Sequence, residues 1–255
     1  KRIYVPVDNS DHSNAAVELS VALGKAFEGQ LVGSHVYAAK LHDVRFKQME
    51  FTLPDEYKEE NELEKQRKIH DALIARGLQL ISDCYLNTMD ELAKAAEVPF
   101  ERKHSDGRNF ECIVDDIQEG DYDLVLMGAL GQGAIKYSKV GSVVERVMRR
   151  TQVDTFVVRD PQANVLEGPG RILVGLDGSS RSYAGLRAAG AIAKAGSGRA
   201  LDIVAVGHGG SEEKALLEAH LEVAADYVRR MELPVTTTWL SGAAVDTFLS
   251  HLEEN

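Results

Sequence analysis

Three glycines and a serine follow a short apolar run, Leu124 to Met127, as Gly128, two residues, Gly131, nine residues, then Gly141-Ser142. Too short for a helix and bounded by glycine, the run reads as a buried parallel strand. Gly128, Gly131 and Gly133 predict a loop whose backbone takes positive φ and admits a ligand where a β-carbon would stand. Gly141-Ser142 then opens a helix over Val143 to Arg149, with Val143, Val144, Val147 and Met148 on one face. Strand, glycine loop and helix N-terminus in that order offer free backbone N–H groups and the positive end of a helix dipole. That is the chemistry of an anion site, and phosphate is its commonest biological occupant. The same order is also a compact way to pack a helix on a sheet. The loop is not a Walker A, because no Gly-Lys-Ser/Thr closes it, and it is not Gly-x-Gly-x-x-Gly after a first strand.

The elements that must hold this loop follow from the chain in order. Arg2 to Val7 predicts a strand ending at Asp8, and Asp8-Asn9-Ser10 supplies turn and N-cap chemistry for a helix over Ser13 to Phe27. Leu31 to Tyr37 is a second strand, so the opening is a β-α-β unit with parallel strands. Ala38 to Pro54 reads as irregular. Pro54 to Val98 reads as a long helical tract, one helix or a pair, with Leu73, Ile74, Leu78, Ile81, Cys84 and Tyr85 as its apolar face, or else as a projecting arm for a partner. Pro99 to His104 gives strand three, Phe110 to Gln118 a helix, and Asp154 to Val158 strand five. A Pro/Gly-punctuated linker runs over 161–170.

After the linker the pattern restarts. Arg171-Ile172-Leu173-Val174-Gly175-Leu176-Asp177-Gly178-Ser179 lies on Arg2 to Ser10, and the match runs without a gap to Gly198 over Gly29. Roughly two residues in five are identical, which marks an internal duplication. Leu201 to Val206, a helix over Ser211 to Met231, Val235 to Leu240 and a helix over Val245 to Leu252 parallel the first half. No counterpart of Asp123 to Val158 follows, so the second half is expected to be truncated after its third helix and to lack the phosphate loop. The missing strands would leave an apolar sheet edge, so a fragment of a longer chain is expected, or else another chain covering that edge.

The loop spacing after Asp-Leu-Val-Leu-Met-Gly resembles the ATP-binding loop of the universal stress protein family, and the resemblance covers both halves except Lys40 to about Lys68. It implies an α/β fold of two tandem doubly wound parallel-sheet domains, strand order 3-2-1-4-5 in the first, with domains over 1–160 and 171–255. A ligand in such a sheet sits where strand order reverses, between the strand ending at Asp8 and the strand ending at Gly128. The resemblance further implies that backbone N–H groups around Gly128, Gly131, Gly141 and Ser142 hold phosphates, with Gly133 in the loop and Val143 closing it. Val36 would read adenine through its main chain, and Pro6, Val7 and Met127 would line the pocket. Asp8 would face ribose or phosphate directly or through Mg²⁺, a hard cation suited to carboxylate and phosphate oxygens. From local sequence Asp8 serves equally as a helix cap. Lys136 and Lys139 read as phosphate-neutralising or, more commonly, as solvated lysines.

Composition limits the partners. A net charge of −11 argues against sequence-independent binding to nucleic acid or anionic membranes. No apolar run approaches a membrane span and the start shows no leader pattern, so the sequence predicts a cytoplasmic protein. Cys84 and Cys112 read as buried thiols. His12, His35 and His104 fall near strand ends but lack metal-ligand spacing. No Walker Lys, catalytic-loop pattern or general base accompanies the loop, so no catalytic residue is assigned. The reading is an ATP-binding stress or signalling regulator with an unknown signalling partner, and the family resemblance implies a homodimer paired through the fifth strand. The alternatives are a slow ATPase using Asp8 and a metal, and a nucleotide-free scaffold.

Overall fold

A computed structural model describes residues 1–133, 139–163, 165–167 and 170–254. Lys136, part of the predicted linker and Asn255 lie outside the described residues. The chain divides into two compact units, Lys1–Ala163 and Asn164–Asn255.

In the first unit, β1 (Arg2–Pro6), β2 (Gln30–Tyr37), β3 (Phe100–Asp106), β4 (Leu124–Gly128) and β5 (Asp154–Val158) form one parallel sheet in the order β3-β2-β1-β4-β5. Order reverses at β1 and β4, which pair through Ile3–Leu124 and Tyr4–Val125. The inner strands β1, β2 and β4 are largely apolar and buried because helices cover both faces. α1 (Asp11–Ala26) packs on β1 and β4, and α4 (Asn109–Glu119) with α5 (Ser142–Arg150) covers a cluster that includes Tyr4, Val32, Ile113, Val125 and Val147. Within that cluster Asp116 accepts from the Tyr4 hydroxyl at 2.9 Å and pairs with Lys103 at 2.6 Å. A buried carboxylate is tolerated there because it is hydrogen-bonded and paired.

The segment 38–98 departs from the sequence reading. Ala38 to Pro54 is not irregular: α2 (Ala39–Met49) occupies most of it. α3 is a single helix, Glu60–Ala95, of 36 residues. α2 packs against α3, and Arg67 ties the hairpin with hydrogen bonds of 2.7 and 2.6 Å to Glu50 and 3.0 Å to Glu60. The buried stripe of α3 is Ser82, Leu86, Met89 and Ala93, packed toward β2 and β3. Cys84 is therefore exposed and Cys112 only half-buried, against the expectation of buried thiols. Between Leu63 and Ser82 the helix buries no residue.

The second unit carries β6 (Ile172–Gly175), β7 (Leu201–Gly207) and β8 (Val235–Ser241) as a parallel sheet in that order. α6 (Ser180–Ala195) and α7 (Ser211–Arg230) contribute Leu186, Ala189, Leu217, Leu221 and Val228 to its core, and α8 (Ala244–Glu254) packs on β7. There the His251 imidazole meets the buried Asp202 carboxylate at 3.0 Å.

Candidate functional site

The β1–α1 turn is built first by its own side chains. Ser10 is the N-cap of α1, its hydroxyl oxygen accepting from Ser13 N at 3.2 Å. Asp8 Oδ1 accepts from Ser10 N at 3.1 Å and lies 2.7 Å from Ser10 Oγ, while Asp8 N donates to Ser13 Oγ at 3.2 Å. The second unit repeats this turn: Ser179 caps α6, Asp177 Oδ1 accepts from Ser179 N at 2.9 Å, and Asp177 N donates to Ser182 Oγ at 3.4 Å. The Ser179 hydroxyl, then the Ser179 amide and the Ser182 hydroxyl, hold the Asp177 carboxyl down at about 2. The turn chemistry of this Asp thus belongs to the duplicated unit and needs no phosphate loop.

Among the described residues, a second loop joins this turn in the first unit. Asp8 Oδ2 accepts from Gln132 N at 3.0 Å, Gln132 Nε2 donates to Asn9 O at 2.7 Å, and Ser10 Oγ sits 3.0 Å from Leu130 O. The glycine loop is closed at its neck, where Ala129 N donates to Val158 O at 2.8 Å and Gly141 N to Ala129 O at 2.7 Å. Gly141 is the N-cap of α5 and, having no side chain, makes no side-chain cap bond to the first-turn amides of that helix.

The glycines act by close approach. None of Gly128, Gly131 and Gly133 has positive φ, contrary to the sequence expectation, and Gly141 has none either. A β-carbon on Gly128 would stand 2.5 Å from the His12 carbonyl carbon and 2.6 Å from Ser13 N, so this glycine seats α1 on the end of β4. One on Gly131 would strike Asp8 Oδ2, and one on Gly141 would come within 3.1 Å of Ala129 O. At Gly133 the space is open. Gly141 N–H is already committed to the neck, so the amide donors left for an anion come from the α5 first turn rather than from Gly141.

These loops and the strand ends enclose a cleft of about 460 Å³, within the range of small-molecule sites. Pro6, Val7, Asp8, Val36, Met127, Gly128, Gly131, Gly133, Gly141, Ser142 and Val143 all line it. Sequence reasoning missed Ser34, His35, Ile81, Tyr85, Asn109 and Gln132, which line it as well. His35 is adjacent to Val36 in the strand, and Asn109 opens α4, but only the folded chain brings Ile81 and Tyr85 of α3 to the same wall. The cleft contains one carboxylate, Asp8, and among the described residues no Lys or Arg lines it. Lys139 is exposed and stands outside the lining.

His35 is held by α3. Its Nδ1 lies 2.6 Å from the hydroxyl of buried Ser82, and its ring meets Tyr85 edge-on at 5.0 Å. Burial holds the imidazole below its ordinary 6.5; the Asp8 carboxylate opposes that shift and His104 adds to it. His104 itself lies 3.4 Å from Asp83, and His12 sits in the first turn of α1. Among the described residues no group of three or more His, Cys, Asp or Glu side chains could hold a metal alone, and no helix is long and apolar enough to cross a membrane.

The fold is shared with known proteins. The family model described as the universal stress protein family matches residues 1–159. A universal stress protein from Archaeoglobus fulgidus is 19% identical, with a TM-score of 0.64 over 99% of this chain and 83% of that one. A universal stress protein from Pseudomonas aeruginosa, described as putative in its own structure, is 12% identical, with a TM-score of 0.57 over 96% of this chain and 75% of that one. At these identities the likeness concerns the fold. No curated protein matches.

Proposed function

The chain belongs to the universal stress protein family, and we propose from that premise that its first unit binds ATP and acts as a nucleotide-dependent stress or signalling regulator. The observation that carries the reading is the stapling of two loops, one led by Asp8 and one by Gly131-Gln132, around a cleft that ends at the N-terminus of α5, whose N-cap Gly141 has no side chain. Amide donors at a helix start suit phosphate oxygens, and the Ser142 hydroxyl beside them adds a donor. Pro6, Val7, Val36 and Met127 give the same cleft an apolar wall suited to a base.

Mg²⁺ fits as a companion of the nucleotide. A lone carboxylate is a poor cage, but Mg²⁺ is commonly held by one or two carboxylates plus phosphate oxygens and water. Asp8 would be that carboxylate, its charge beside a polyphosphate favouring a bridging cation. Both Asp8 oxygens already accept hydrogen bonds from Ser10 and Gln132, which supports a positioning role over that of a general base. Occupancy would then bias shape or assembly rather than drive turnover.

The same reading divides the chain into a nucleotide domain over 1–160, a linker over 161–170 and a second domain over 171–255. It assigns pairing to a homodimer through the edge strand β5, in which Thr155, Phe156 and Val157 remain half-buried. Two free cysteines suit a reducing compartment, and the proposal places the protein in the cytoplasm.

The test is mass spectrometry of small molecules released from the purified, denatured protein, beside calorimetric titration of wild type and Gly131→Val with ATP. Recovered ATP and binding heat that the variant loses would support the reading. Absence of both nucleotide and heat in the wild type would overturn it.

A further inference from the structure

The cleft has two chemically distinct sides. Asp8, Ser10, Gln132 and Ser142 gather polar groups where the two loops meet. α3 contributes only Ile81 and Tyr85. Ile81 is 45% exposed despite lining a concave site, and Tyr85 is half-buried. Neither belongs to the buried stripe that fixes α3 to the sheet; each precedes a member of it, Ser82 and Leu86, by one position. A one-residue step on a helix turns about 100°, so these two side chains look past the sheet and along the strand ends.

Their placement is fixed. The Ser82–His35 contact at 2.6 Å sets the rotation of α3 over β2, and the edge-on packing of Tyr85 against His35 fixes the phenol ring beside the residue that precedes Val36. An aromatic ring and a branched aliphatic chain, both partly open to the cleft, form a surface for a flat, weakly polar group whose other end is anionic. Resting on the nucleotide reading above, we infer that Tyr85 and Ile81 form the wall against which the nucleobase lies, so that α3 sets the base preference of the site.

A flat base gains contact area from such a wall, while a bare polyphosphate gains none. Larger purines gain more than pyrimidines, so the wall discriminates by size and stacking rather than by hydrogen bonds.

The experiment is calorimetric titration of the full chain with ATP, GTP, CTP, UTP and inorganic tripolyphosphate, on wild type, Tyr85→Ala, Tyr85→Phe and Ile81→Ser, with circular dichroism confirming that each variant is folded. Tyr85→Ala is expected to weaken ATP by about tenfold and to compress the spread between purine and pyrimidine nucleotides. Tripolyphosphate binding should be unchanged, Ile81→Ser should shift the nucleotides in the same direction by a smaller factor, and Tyr85→Phe should keep the wild-type order. Wild-type affinities and order in Tyr85→Ala, or an equal loss for ATP and tripolyphosphate, would overturn the inference while leaving the site a nucleotide site. A wild type that binds none of the four nucleotides would overturn the nucleotide reading and this inference with it.

Discussion

Asp8 Oδ2 accepts the backbone N–H of Gln132 at 3.0 Å, a contact between residues 124 positions apart that, among the described residues, has no counterpart at the otherwise similar turn of Asp177. It separates the two roles of the residue. Hydrogen bonds to Ser10 build the turn, and the bond to Gln132 carries the turn to the loop. Asp8→Asn keeps one carbonyl acceptor but loses the charge and one of the two acceptor oxygens. The expected outcome is a folded protein with weakened ATP affinity and no gain in affinity on adding Mg²⁺, where the wild type gains. Titration with and without Mg²⁺ checks it, and an equal Mg²⁺ response in both proteins would remove Asp8 from the metal site.

Gly131 and Gly133 make a matched pair. A β-carbon at Gly131 meets Asp8 Oδ2, whereas at Gly133 it meets nothing within 4 Å. Gly131→Ala is therefore expected to part the two loops and lower ATP affinity by about tenfold or more, on the scale of lost loop hydrogen bonds. Gly133→Ala should bind like wild type. Equal behaviour of the two variants would show that the loop tolerates bulk at either position.

At Gly128 the cost falls on stability. The added carbon would press on the backbone of His12 and Ser13, which cannot rotate away as a flexible side chain does. Overpacking of this kind costs about 1–3 kcal/mol, and urea denaturation of Gly128→Ala should show it in the first unit. An unchanged midpoint would mean that α1 shifts freely on β4.

His35 predicts a pH dependence. Because burial lowers its folded-state pKa below the ordinary 6.5, the folded form favours neutral imidazole, and the unfolded chain binds the proton first as pH falls. Its contribution to stability is complete above 6.5 and is lost progressively as pH drops toward the folded-state value. The denaturation midpoint of the wild type is expected to fall between about pH 7 and pH 5, and His35→Gln should have a flatter profile across that window. Parallel profiles would place the titration elsewhere.

The strands and the glycine loop were legible because their signals are local. Apolar runs bounded by turn residues mark β1, β2, β4 and β5, and the spacing from Gly128 to Ser142 carries the loop. The reason for the glycines was not legible: tight neighbours are contributed by Asp8, His12, Ser13 and Ala129, and only the fold brings the first three against the loop. The wall of the cleft on α3 was hidden by phase. Apolar residues surround that helix, with Ile69, Leu73 and Leu80 more than half exposed, so periodicity chose the face of Ile81, Cys84 and Tyr85 over the buried one of Ser82, Leu86 and Met89. α2 escaped notice because its partner is α3 rather than the sheet, and a charged, mixed sequence gives no core-facing stripe.

The stretch of α3 between Leu63 and Ser82, in which no residue is buried, has a mechanical consequence. Glu60 and Tyr85 lie on one unbroken helix, about 37 Å apart along its axis. The helix is anchored beside the cleft and carries α2 on its far part. On a rod of this length a small angle at one end is a large displacement at the other. A tilt of about 10° at Tyr85 would carry the Glu60 end through roughly 6 Å.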